Sequence, residues 1–232
     1  MKIKNILAVF PLTAMISVVS HAAIVDNGLS GNINYDGWDV LGGVSGYGSG
    51  TTWATPMGSM ELGSGDAGLD RISGGHYSAS FGLYSPSGTS VFSVVDSTAV
   101  AGLETVVISI DSLLGADDIA LLSNPVLNFN SGSQQAIADY SFSTVLPTQT
   151  GTPFGDVDPI AYTFQWDLTG LGVTSFAVNW EHQVHSSLRT IQLEQSDTFS
   201  VANAQVVPVP AAAWLFGSAC VGIFAVRRKL VA

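Results

Sequence analysis

Histidine, the side chain best suited to proton transfer near neutral pH, occurs as a close pair in Glu181-His182-Gln183-Val184-His185. On a helix, ligands three positions apart could share a metal ion. Trp180 and the alternation around it indicate a strand instead, where positions three apart face opposite ways. The pair is therefore expected to make hydrogen bonds at a strand end or in a loop, and Arg189 nearby to pair with a carboxylate. A nucleophile-elbow hydrolase needs Gly-x-Ser-x-Gly, and no serine here has glycine both two places before and two places after it. A Ser-His-Asp set on another scaffold could draw on the three histidines beyond His21 and many serines, an inventory most proteins carry. Carboxylates pair as Asp117-Asp118 and Asp156-x-Asp158, hard oxygen donors able to hold Ca2+. Neither spacing makes a full calcium loop, and solvated turns account for both. Calcium is the one cofactor these residues leave open; otherwise none is expected. Tyr35, Trp38, Tyr47 and Trp53, set in glycine-rich sequence, could stack on sugar rings or serve equally well as core aromatics.

Positioning such groups falls to strands. Apolar residues alternate with a period of two in several stretches. Tyr162, Phe164, Trp166 and Leu168 share one face, opposite Thr163, Gln165 and Asp167. Phe176, Val178 and Trp180 repeat the pattern, and Thr169-Gly170-Leu171-Gly172 between the two makes them a candidate hairpin. Further strands are expected over 90–95, 105–110, 126–129, 138–145 and 188–193, with one short helix over Asp117 to Leu122. From Ala23 to Gly88 the chain is rich in glycine and serine, and its strands are harder to place. Many short strands with frequent turn signals and no strand-helix alternation predict an all-β, antiparallel β-sandwich or jelly-roll-like domain, with a barrel second.

Charge is segregated along the 232 residues. Lys2, Lys4, Arg227, Arg228 and Lys229 lie at the ends, leaving Arg71 and Arg189 in the middle against all eighteen acidic residues, which run from Asp26 to Asp197. Such a body repels nucleic acid phosphates and anionic lipid, so no nucleic-acid partner is expected. The N-terminal lysines precede an uncharged, mostly apolar stretch from Ile6 to Val19, and Ser20-His21-Ala22 then places small residues where a signal peptidase reads. Residues 1–22 are thus expected to be a secretory signal cut after Ala22, or one residue later after Ala23. Fourteen residues interrupted by Pro11 are short for a membrane span. The single cysteine, Cys220, lies outside the middle, so no disulfide is expected in the exported part.

At the other end Ala211 to Val226 is uncharged and is followed directly by Arg227-Arg228-Lys229. Sixteen residues of helix cover roughly 24 Å, slightly under a bilayer core, and the length is completed by extending back through Val206. A single C-terminal transmembrane helix is expected over about 211–226, with the basic triplet cytoplasmic and Trp214 at the opposite interface. Ahead of it stand Pro208 and Pro210, which fix φ and lack a donor, so they keep Val207 to Pro210 extended, as a protease groove requires. Gly217, Ser218, Ala219 and Gly222 would allow close packing on a membrane partner. On physical grounds a plain tail anchor explains the same residues as well.

The run Val207-Pro208-Val209-Pro210-Ala-Ala-Ala-Trp214-Leu215-Phe216-Gly217-Ser, then an apolar stretch, then Arg227-Arg228-Lys229, closely resembles the PEP-CTERM sorting signal. The match covers residues 207–232, and Val209 stands where the eponymous glutamate would, a familiar Val-Pro-x-Pro variant. The resemblance implies a Gram-negative host and a tail processed by exosortase, a multi-pass membrane protease. It further implies a destination at the cell surface or in the extracellular matrix, with exopolysaccharide as a neighbour. The expected organisation is signal peptide 1–22, β-rich exported domain 23–200, linker 201–206 and sorting signal 207–232. The expected role is structural or adhesive and not enzymatic, in a biofilm or envelope; a carbohydrate-binding module or a polysaccharide-acting enzyme is the alternative. Expected partners are signal peptidase, an exosortase-like protease, the membrane before processing and exopolysaccharide.

Overall fold

The computed structural model describes residues 27–38, 41, 58–59, 62–79, 81–115, 117–152 and 155–202. The expected secretion signal and sorting tail, with Tyr47, Trp53 and Cys220, lie outside these residues. The strands are β1 (Ile33–Trp38), β2 (Gly58–Ser59), β3 (Leu62–Gly63), β4 (Gly68–Ala79), β5 (Gly82–Asp96), β6 (Thr105–Leu113) and β7 (Val126–Phe129). They continue as β8 (Gln134–Ile137), β9 (Tyr140–Val145), β10 (Gln149–Thr152), β11 (Gly155–Val157), β12 (Ile160–Asp167), β13 (Phe176–His182) and β14 (Ser187–Ser196). The fold is all-β, with no helix among the described residues.

One sheet takes in twelve of these strands along the path β8-β7-β13-β5-β14-β6-β12-β9, with β4 and β2 beside β5 and β1 and β3 beside β14. Every pairing is antiparallel. The sheet curls into a half-barrel, because β5, β6, β12, β13 and β14 each have one apolar face and curling lets those faces meet. Trp166, Phe164, Ile108, Ile110, Ile191 and Leu193 from one flank meet Trp180, Val178, Phe92, Val94 and Leu127 from the other in a single core. Burying each large side chain of this kind is worth roughly 1.5–3 kcal/mol, the main source of stability in a chain without a disulfide among these residues.

The curl turns at Gly82. There β5 begins, pairing with β4 on one side while Leu83 and Tyr84 pair with Leu188 and Ser187 of β14 on the other. Gly82 has φ of +117°, and a Cβ there would lie 2.2 Å from the Leu188 carbonyl oxygen. Only glycine supplies that conformation and leaves that space.

Two expectations are corrected. β12 and β13 do not form a hairpin: β12 pairs with β6 and β9, and β13 with β5 and β7. Each has so large an apolar face that the two pack across the core from opposite flanks, and 168–175 carries the chain over. Asp117 to Leu122 is not a helix either. Asp118 has φ of +58°, and Gln183 N–H donates to Ala120 O, Leu122 N–H to Glu181 O. The end of β13 therefore draws the segment out alongside itself.

On the convex face, opposite the apolar one, Thr163, Gln165, Ser109, Gln192 and Glu194 are buried as well. Part of the cover is visible. Leu29 and Ala202 pack on Val107, and Gln165 donates to Ser200 O and accepts from the Ala202 N–H. Ala202, in the stretch read as linker, is thus folded onto the sheet. The segment entering β1 lies against the segment leaving β14: Ser30 N–H donates to Ser200 Oγ, and Asn32 N–H to Asp197 Oδ1. That main-chain donor, with the Asn32 side chain, holds the Asp197 carboxyl below its ordinary pKa. Both ends of the described chain therefore leave from one place on the convex face.

Candidate functional site

The histidines resolve into two unrelated groups. His182 ends β13 with its ring wholly buried. Its Nε2 meets Ser112 Oγ at 3.1 Å and its Nδ1 meets Ser186 Oγ at 2.9 Å. Ser186 donates its hydroxyl proton to Gln183 O, so Nδ1 must be the protonated nitrogen and Nε2 accepts from Ser112. A serine whose proton is committed to a main-chain carbonyl is not an activated nucleophile, and a ring without exposure meets no substrate. His185 sits in the following turn at φ +63°, exposed, with Nδ1 at 2.9 Å from Tyr84 Oη. One ring is buried with both nitrogens engaged and the other is exposed on Tyr84, so the pair does not converge on one ion.

Asp117 and Asp118 sit in a loop, while Asp156 lies in β11 and Asp158 directly follows it. Asp117 accepts from Gln183 Nε2 at 2.9 Å and Asp158 from Thr148 Oγ1 at 2.6 Å. No group of three or more His, Cys, Asp or Glu side chains among the described residues is placed to hold a metal ion. Of the aromatic set, Trp38 belongs to the core while Tyr35 faces outward, more than a third exposed. Three positions apart on one strand, they cannot form a joint sugar platform.

The structure brings together a carboxylate group that spacing did not reveal. Asp36 of β1 faces the core beside Trp38 and is fully buried. Its Oδ1 accepts from the Ala67 N–H at 3.3 Å, and its Oδ2 has no hydrogen-bond partner. Gly65 is pressed against it, since a Cβ there would lie 2.3 Å from Oδ2. Asp66 and Asp96 are neighbours, joined through Thr98: Thr98 Oγ1 donates to Asp66, and the Thr98 N–H donates to Asp96 Oδ1 at 2.7 Å. Asp96 also accepts from Gln195 Nε2 at 2.5 Å. Burial, reinforced by the Asp96 and Asp66 charges and opposed by the Ala67 N–H, pushes Asp36 up to about 6.

A second buried acid lies on the convex face. Asp111 of β6 meets Arg189 Nε at 3.7 Å, the carboxylate partner expected for that arginine. Neither Asp111 oxygen makes a hydrogen bond. Burial pushes the group up to about 6 even though the Arg189 charge pulls it down. A lone aspartate in the apolar run Val106-Val107-Ile108-Ser109-Ile110-Asp111 was the available sequence signal. Ser109 Oγ and Thr163 Oγ1 continue the polar stripe at 3.2 Å.

Compared with known proteins, the chain matches no family model, no curated protein and no solved structure. The likeness to a sorting tail stands on residues 207–232 themselves. No helix of the described residues is long and apolar enough to cross a membrane; the expected span lies beyond them.

Proposed function

We propose that this is an exported surface or matrix protein, delivered by the general secretory route and released by an exosortase-like protease acting at Val207 to Pro210. Its exported part is a jelly-roll-like sandwich derived from the curled sheet, with a structural or adhesive role and no catalysis of its own. The observation that supports this most is the shared exit of the two chain ends. Asn27–Asn32 and Ser196–Ala202 lie side by side, so a leader before the one and a tail after the other attach at one point. A domain hung from one point leaves the rest of its surface free beyond the membrane. Five of the seven basic residues lie in those attached segments, where positive charge sets membrane orientation.

Sorting is tested in the native host with tail variants. Changing Pro208 and Pro210 to alanine should leave a full-length, membrane-held precursor, because the extended segment that the protease grips is lost. Neutralising Arg227, Arg228 and Lys229 should instead weaken membrane retention before processing. Normal maturation of both variants would exclude the mechanism.

A further inference from the structure

We propose that β9 is the strand through which two copies of this chain join, edge to edge and antiparallel, in a two-fold dimer. β9 ends one side of the main sheet. Its six residues pair with β12 in unbroken register from Tyr140↔Gln165 to Val145↔Ile160, and no strand among the described residues pairs with its other side. A free strand edge is a row of unpaired main-chain donors and acceptors, which proteins blunt with charge, proline, bulges or short length.

The other edges carry such devices. The β4 edge contains Asp70, Arg71 and paired glycines, and its register with β5 shifts three times between Arg71 and Tyr77. β8, at the far end of the sheet path, is only four residues long. β9 has none of these features: Tyr-Ser-Phe-Ser-Thr-Val carries no charge, proline or glycine. Four of its six side chains are exposed, Tyr140 by 42% and Val145 by 63%, with Tyr140 stacked on Phe199.

Charge selects the occupant. With eighteen acidic residues against seven basic ones in the chain, most approaches between two copies oppose like charges. β9 is an uncharged strip on this acidic body, and the nearest acid, Asp139, is engaged by the Asp167 N–H. Two-fold antiparallel pairing keeps Tyr140, Phe142 and Thr144 of both copies on the convex face. Aromatic side chains then neighbour one another across the seam and serines do so on the other face. Such pairing is closed, so it stops at two copies. The dimer deepens the structural role proposed above and rests on it for its use in a matrix, but its geometry does not involve the tail, so the two can fail separately.

The test is the protein mass of the full chain in detergent by light scattering or sedimentation. Wild type should show twice the chain mass. Ser141→Lys with Ser143→Lys, both exposed positions, should show half the wild-type value, and Ser73→Lys on the bulged β4 edge should leave the wild-type value unchanged. Ser143→Asp, a smaller change, should give the same halving. Hydrogen exchange of the 140–145 amides should slow with concentration in wild type only. Wild type at single-chain mass, or double mass retained in folded β9 variants, would overturn the proposal.

Discussion

Asp36 shows why a carboxylate's position in the fold outweighs its type. In β1 the alternation offers two faces, Ile33 and Tyr35 on one, Asn34, Asp36 and Trp38 on the other. The strand turns the second face inward because Trp38 has the largest apolar area to bury, and Asp36 goes in with it. Its folded pKa of about 6 lies above the ordinary 3.8. Ionisation is therefore harder in the folded state, and the stability that the protonated acid retains is full below pH about 4 and lost as pH rises through about 6. The shift corresponds to at most about 3 kcal/mol at neutral pH. Asp36→Asn keeps the acceptor for Ala67 and turns an amide toward Asp66 and Asp96. It should raise the melting temperature at pH 7.5 by on the order of 5 °C and leave it nearly unchanged at pH 4. A variant no more stable than wild type at pH 7.5 would show that Asp36 is not strained there. The hydrogen-bonding role of the histidines and the carboxylate partner of Arg189 were legible from local pattern. The Asp36, Asp66 and Asp96 group was not, because it joins residues from separate strands and a loop.

At the scale of elements, legibility followed apolar alternation. β6, β7, β12, β13 and β14 lie where alternating residues placed them, since a period-two pattern is a direct imprint of one buried face. β4 escaped because Gly68, Gly74 and Gly75 carry no side chain to alternate, and its pairing with β5 holds it in place. Pairings such as Ile33↔Ser196, and the placing of β12 and β13 on opposite flanks, depend on the whole core and leave no local trace. The corner at Gly82 gives a paired test. Gly82→Ala combines an unfavourable positive φ with a clash against the Leu188 main chain and should cost more than about 2 kcal/mol in denaturant unfolding. Gly132→Ala has φ of +78° but open space around its Cβ and should cost only about 1 kcal/mol. Equal costs would mean that β14 does not press on the start of β5 as described.

For the whole molecule, a half-barrel with buried polar residues on its convex face is crossed by its own two ends, and those ends lead toward the segments that carry most of the positive charge. An acidic body between two basic, apolar termini is what the proposed route across a membrane, followed by release, requires. The middle of the chain was legible as antiparallel β because its strands alternate; its curl was not, since curvature arises from how faces meet. The central claim is that both termini are removed on the way to the surface, and intact mass of the protein isolated from its native host tests it most directly. The account predicts a species beginning at Ala23 or Ile24 and ending within or near Val207 to Pro210, found outside the cytoplasm. A full-length mass, from Met1 to Ala232, in the soluble interior of the cell would contradict it.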